Sequence, residues 1–313
     1  MLRAFLFYGA ATELPQTKLK KRGIFMKLNQ ILAEPKPSLS FEVFPPKSSD
    51  SYENIRGAAE AVAALAPSFI SVTYGAGGGT SAYTVAIAAG IQEKFHVPAL
   101  AHLSCIHSTR ESVHRQLDAM RSAGIENILA LRGDLAPGTT TEDSWHYHYA
   151  SELVREIREY GGFCIGGACY PEGHTESANQ TEDILHLKEK VDAGCEFLTT
   201  QMFFDNNIYY NFLYKIREHG IQIPVVAGIM PVTNAKQIRR IVALSGTALP
   251  QRFRYILDRF GSNPKAMKQA GIAYATEQIV DLYANGVSAV HIYSMNDATV
   301  AGKIQENLSE ILK

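Results

Sequence analysis

The sequence predicts an α/β chain folded as a (β/α)8 barrel. Eight short apolar runs carry that expectation, with segments of helical periodicity between most of them and a repeat of roughly 30 residues, the length of one βα unit. Length agrees, because 313 residues accommodate a barrel of typically about 250 residues together with a tail and one insertion.

The runs are SFEVFPP, FISVTYGAGG, ALAHLSCIH, NILALRGD, FCIGGACYPEGH, FLTTQMFFD, VVAGIMPV and SAVHIYSMN, starting near residues 40, 69, 99, 127, 163, 197, 225 and 288. Each is nearly continuous in apolar character until it stops at a polar cluster, as parallel strands buried on both faces should be. Over residues 51–66, Ile55, Ala59, Val62 and Leu65 oppose Glu53, Arg56 and Glu60, the stripe of a helix that covers a sheet. Similar stretches run through about 110–123, 149–160, 181–193, 207–219, 234–245 and 266–285. The gap between the seventh and eighth runs is twice the usual spacing, and PQRFRYILDRFGSNP within it is read as one extra helix. Alternation alone also permits an open doubly wound sheet, but eight strand candidates favour closure.

No linker or low-complexity tract divides the chain, so residues 26–313 are read as a single barrel domain. Residues 1–25 place an apolar start before a basic cluster, the reverse of a signal peptide. Met26 opens MKLNQILAEP, a plausible start for the folded unit. The first 25 residues are therefore expected to be a disordered extension or an upstream translation start whose deletion is tolerated.

Composition is 46% hydrophobic and 19% charged with a formal net charge of -1, which gives no pull toward nucleic acid or an anionic membrane. The four cysteines, Cys105, Cys164, Cys169 and Cys195, form no CxxC pair and lie in or beside apolar runs. They are read as reduced thiols of a cytoplasmic protein rather than zinc ligands. No apolar stretch reaches the roughly 20 residues that span a membrane.

Barrel active sites lie at the C-terminal ends of the strands. The polar residues there are Glu42, Thr73, Tyr74, His102, Arg132, Asp134, Tyr170, His174, Gln201, Tyr293 and Asn296. This set lacks the His/Asp/Glu spacing of a metal site and suits a polar organic cofactor better. On residues alone, Glu42 is either a chemical carboxyl or a strand-end carboxylate paired with Lys or Arg. Asp134 is equally readable as a turn former, Gln201 as a backbone-bonded amide and His102 as a satisfied barrel histidine. GAGGGT at 75–80 is neither a dinucleotide fingerprint nor a P-loop.

In their order, SFEVFPPK, SVTYGAGG, AHLSC, ALRGD, CYPEGH, TTQMFFD and GIMPV resemble the motifs of the methylenetetrahydrofolate reductase family, in its bacterial type with the catalytic barrel only. The resemblance covers roughly residues 38–296. It implies a tightly bound FAD, NADH or NADPH as co-substrate, and reduction of 5,10-methylenetetrahydrofolate to 5-methyltetrahydrofolate by ping-pong hydride transfer, a step toward methionine. Glu42 would be the general acid that protonates N10 of the folate, and its neighbours Phe41, Val43, Phe44, Pro45 and Pro46 would raise its pKa by desolvation.

By the same resemblance Asp134 is the second catalytic residue, lying beside flavin and pterin where its charge can tune the flavin and bind the folate ring, with Gln201 and Gln237 also on the substrate side. Flavin contacts carry over to Thr73, Tyr74, Ala76, His102, Arg132, Gly133, Asp134, Tyr149, Ala150, Tyr170, His174, Asp183 and Lys190. The chain departs from the family pattern at Asp297, where an arginine can hold the carboxylate tail of folate, and at Ile241, where an aromatic can pack on substrate. Competing readings are another FAD barrel oxidoreductase of one-carbon or proline metabolism, and a flavin- or folate-binding subunit of a larger complex. Partners are expected to be small molecules, with a homo-oligomer allowed.

Overall fold

In the computed structural model, which describes residues 26–46, 49–74, 81–134 and 145–313, eight parallel strands close on themselves. They are β1 (Ser38–Val43), β2 (Ile70–Val72), β3 (Ala99–Ser104), β4 (Asn127–Leu131), β5 (Cys164–Cys169), β6 (Phe197–Thr200), β7 (Val225–Ile229) and β8 (Ala289–Tyr293). Each pairs in parallel with the next, and β8 returns to β1 with Ser38 opposite Ala289 and Glu42 opposite Tyr293. All eight expected strands are present and the sheet is a closed barrel. Residues 1–25, and Ala76 within the GAGGGT loop, lie outside the described residues.

The helices are α1 (Leu28–Leu32), α2 (Tyr52–Ala63), α3 (Ser81–Phe95), α4 (Arg110–Ser122), α5 (Ala150–Tyr160), α6 (Gln180–Ala193) and α7 (Asn206–Glu218). After β7 come α8 (Ala235–Ser245), α9 (Gln251–Phe260) and α10 (Pro264–Ala284), and after β8 comes α11 (Ala298–Asn307). The extra helix expected before β8 is α9. Local chemistry sets many of the helix starts: Thr109, Asn179, Asp205, Asn234, Asn263 and Asp297 each accept a backbone N–H of the first turn.

Strand alternation sorts the apolar side chains into two layers. Leu39, Phe41, Val43, Ile70, Val72, Ile128, Ile165, Leu198 and Ile229 belong to the main core together with the helices. Phe69, Leu100, Leu129, Cys164, Phe197, Val226 and Ala289 form a second cluster that Leu28 and Leu32 of α1 complete. Since the strands contribute near their N-terminal ends, α1 plugs the bottom of the barrel.

Asn127 anchors this plug. Its side chain is fully buried, its Oδ1 accepts Leu28 N–H at 2.8 Å, and its Nδ2 donates to Ala99 O at 3.2 Å. Asn127→Ala leaves both backbone groups without their partner, so a loss of about 1–3 kcal/mol is expected in denaturant titration.

Candidate active site

Above the plug, the C-terminal ends of β3, β4 and β5 and the starts of α5 and α6 surround a cavity of about 1400 Å³. Of the expected flavin contacts, Tyr74, Arg132, Gly133, Asp134, Tyr149, Ala150, Tyr170, His174, Asp183 and Lys190 line it. Sequence brings them from five separate segments. α6 is the clearest case: Asp183 and Lys190 sit seven residues apart, two turns, and so face the same way.

Arg132 is fixed by a bidentate pair with Glu176, both contacts at 2.6 Å, and the carboxylate holds its pKa up. Lys190 Nζ donates to Ala168 O at 2.6 Å, and Asp183 Oδ1 accepts Ser177 Oγ at 3.3 Å. Burial raises the Asp183 carboxyl and lowers the His174 imidazole. The His174 ring meets Tyr170 edge-on at 4.6 Å, while Tyr149, 62% exposed, lies parallel to His186 at the rim. Gly133 has φ +91°, and a Cβ there would stand 2.7 Å from Ile106 Cγ2, so glycine alone lets the backbone pass beneath the cavity.

Glu42 is the penultimate residue of β1, inside the barrel mouth, its side chain 22% exposed. Burial pushes its carboxyl up to about 8, while the hydrogen bond from Ser71 acts in the opposite direction. A polar network of Ser40, Ser71 and His291 lies beneath it. Ser40 Oγ donates to Val290 O at 3.0 Å and pairs with His291 Nδ1 at 2.7 Å. His291 Nε2 in turn lies within hydrogen-bond distance of the Ser71 hydroxyl, 2.9 Å away. The Ser71 hydroxyl donates to Glu42 Oε2 at 3.4 Å.

His102 Nε2 stands 3.6 Å from Glu42 Oε2, buried and without a hydrogen-bond partner. Burial lowers both His102 and His291 to about 3, so the two imidazoles are neutral and neither supplies a positive charge to ionise Glu42. The sign of the stability effect follows. A carboxyl at about 8 when folded and near 4.5 when unfolded contributes fully below pH ~4.5 and loses stability as pH rises to ~8. Glu42→Gln is therefore expected to raise Tm by on the order of 5 °C at pH 9 and to leave it unchanged at pH 4, measured by calorimetry.

The remaining expected residues fall apart spatially. Thr73 continues the β1 pairing by donating its N–H to Val43 O at 3.0 Å and is not among the cavity-lining residues; neither is His102, which faces Glu42 instead. Gln201 follows β6, its Oε1 accepting the N–H of Met202 at 3.0 Å. Gln237 is exposed in the first turn of α8, and Asp134 is exposed at the cavity edge. Asp297 is engaged by Lys268 Nζ at 2.8 Å, and Ile241 packs against a further apolar cluster that includes Met202, Phe204, Val232, Ile238 and Phe253.

Sequence reading missed Ser40, Ser71 and His291 around Glu42, and Glu176 on Arg132. A signal for the first three was present, since each lies two residues before a mouth residue, Glu42, Thr73 or Tyr293, and thus on the same strand face.

Among the described residues no group of three or more His, Cys, Asp or Glu could hold a metal, no helix is long and apolar enough to cross a membrane, and the four cysteines are free and buried.

A family model described as methylenetetrahydrofolate reductase matches residues 27–309. The 5,10-methylenetetrahydrofolate reductase of Pectobacterium carotovorum subsp. carotovorum is 35% identical over 283 residues, 90% of this chain and 94% of that protein. Methylenetetrahydrofolate reductase (NADH) 1 of Arabidopsis thaliana is 33% identical over 300 residues, 91% of this chain and 50% of that protein, so the chain spans half the length of that relative. Among solved structures, an uncharacterized protein from Clostridium thermocellum that binds two copies of 5-methyl-5,6,7,8-tetrahydrofolic acid superposes with a TM-score of 0.63 at 14% identity, covering 91% of this chain and 100% of that one, a likeness of fold. On the family match and the bacterial relative, this chain belongs to the methylenetetrahydrofolate reductase family.

Proposed function

We propose that this barrel reduces 5,10-methylenetetrahydrofolate to 5-methyltetrahydrofolate at the expense of NADH or NADPH, with Glu42 as the general acid. The observation that carries the reading is a carboxyl at the barrel mouth whose ionised form burial disfavours, beside a cavity whose lining suits a flavin dinucleotide. Family membership supports the reaction class. The cavity supports the cofactor through its volume of about 1400 Å³, its Arg132 and Lys190 cations, and the glycine backbone at residue 133. FAD held there would supply the hydride-transfer chemistry between nicotinamide and folate.

Arg132 and Lys190 would hold the anionic part of the cofactor, and Tyr74, Tyr170 and Ala150 would wall its apolar part. Asp134 and Gln201 orient the pterin, the amide offering a donor and an acceptor to a heterocycle. Glu42 supplies the proton. Opening the imidazolidine ring turns N10 into a leaving nitrogen, and transfer of the Glu42 proton to it leaves the electrophilic iminium at N5 that accepts hydride. Gln237 lies on the α8 side of the mouth, suited to the remainder of the folate.

The test is anaerobic visible spectroscopy of protein loaded with FAD. Flavin absorbance should bleach on adding NADH and return on adding methylenetetrahydrofolate. Flavin that bleaches and is not reoxidised would favour a binding subunit or a different oxidised substrate. Absence of flavin binding would overturn the cofactor.

A further inference from the structure

Beyond the paired residues Glu42 and Tyr293, the backbones of β1 and β8 part company. β1 runs into Phe44, Pro45 and Pro46, and the two prolines have no N–H with which to continue a ladder. One side chain takes over that task. Asn296 Oδ1 accepts Phe44 N–H at 2.9 Å while its Nδ2 donates to Phe44 O at 3.0 Å, and Ser294 Oγ donates to Glu42 O.

The β8–α11 turn is bent to allow this. Met295 and Asn296 have φ of 52° and 57°, consecutive left-handed residues that are not glycine. Asn tolerates that region and Met does so poorly; such strain persists only where the surroundings enforce it. Asp297 does the enforcing: it caps α11 through Thr299 N–H at 3.0 Å and Val300 N–H at 3.1 Å, and it is tied to Lys268 on α10 at 2.8 Å.

We infer that Asn296 is a positioning residue, which clamps the Phe44–Pro45–Pro46 arm beside Glu42 and thereby keeps water from its carboxyl. The inference rests on the reading of Glu42 as the acid. Phe44 precedes a proline, which favours an extended backbone, and two residues on from Glu42 an extended chain returns its side chain to the same face. Pro45 and Pro46 are buried. The other groups facing Glu42 are Ser71 from β2, His102 from β3, and His291 and Tyr293 from β8; the histidines are neutral, and burial keeps Tyr293 protonated. None of them titrates in the range that matters, so the apolar arm is the adjustable element.

Asn296→Gly removes both clamp bonds and accommodates the left-handed backbone. Phe44→Ala keeps the clamp and removes the side chain it holds, and it covers the case in which the glycine variant fails to fold. In FAD-loaded protein, both variants should reduce flavin with NADH at the parental rate. The alkaline limb of flavin reoxidation by methylenetetrahydrofolate should move down by about one pH unit, read as a roughly tenfold slower step at pH 9 that converges with the parent below pH 6. Carbon NMR of the Glu42 carboxyl in cofactor-free protein should show the same displacement.

A merely structural defect would slow the step equally at every pH, and profiles superimposable on the parent would overturn the clamp. Glu42→Gln, run in parallel, separates the two ideas: if it leaves the parental alkaline limb in place, the acid assignment itself fails and the clamp with it.

Discussion

Glu42→Gln is expected to slow flavin reoxidation by methylenetetrahydrofolate by about 10²–10⁴-fold, while NADH reduces the flavin at a rate within about twofold of the parent. The asymmetry follows from where the proton goes. Nicotinamide delivers hydride without needing an acid, whereas N10 of the folate cannot leave as an anion. Gln is isosteric with Glu and keeps an acceptor oxygen for Ser71, so the network of Ser71, His291 and Ser40 should persist. Rapid-mixing absorbance of the two half-reactions reads the effect. In the parent the folate step should fall as pH rises through about 8, because the acid is active only while protonated. Equal loss in both half-reactions would mean that Glu42 shapes the flavin site instead of donating a proton.

Gly271→Ala should produce the largest loss of stability, about 3 kcal/mol or more. On helix propensity alone the change would be favourable by about 1 kcal/mol. Packing reverses the sign. A Cβ on Gly271, in α10, would overlap Val232 O and stand 2.6 Å from the Val232 carbonyl carbon, so α10 would have to leave the segment that joins β7 to α8. Val232 lies in the core cluster of Met202, Phe204, Ile238, Phe253 and Met267, and the loss would spread through it. Gly57 supplies the control: it is also helical, in α2, but a Cβ there meets nothing within 4 Å, so Gly57→Ala should stabilise by about 0.5–1 kcal/mol. Chemical denaturation of the two variants decides between propensity and packing, and similar values for both would refute the close approach.

The strands were legible because they are apolar on both faces and end in polar clusters. Most helices were legible because one face is charged. α3 was not: SAYTVAIAAGIQEKF is apolar nearly all round, and a helix without a polar face shows no stripe. α1 is a five-residue plug, too short to show periodicity. α11, AGKIQEN preceded by ATV, carries few charges of its own.

At the site, the resemblance carried the cavity residues, which strand order then gathered from distant segments. Sequence could not show that His102 turns toward Glu42 rather than toward the cavity lining, because a strand residue's face is known but its neighbours across a closed barrel are not. Nor could it show the Arg132–Glu176 fork or the Asn296 clamp, which join loops 44 and 252 residues apart. The departure at Asp297 acquires a physical reading: the carboxylate caps α11 and binds Lys268, a structural task that no arginine at this position would perform.

The most direct measurement is the ionisation of Glu42 itself, followed by carbon NMR in protein labelled at glutamate carboxyls and assigned by the spectrum lost in Glu42→Gln. The expected result is a carboxyl that stays protonated at pH 7 and titrates near 8. A carboxyl that titrates below pH 6 would contradict the general-acid role at neutral pH and the desolvated site on which it depends.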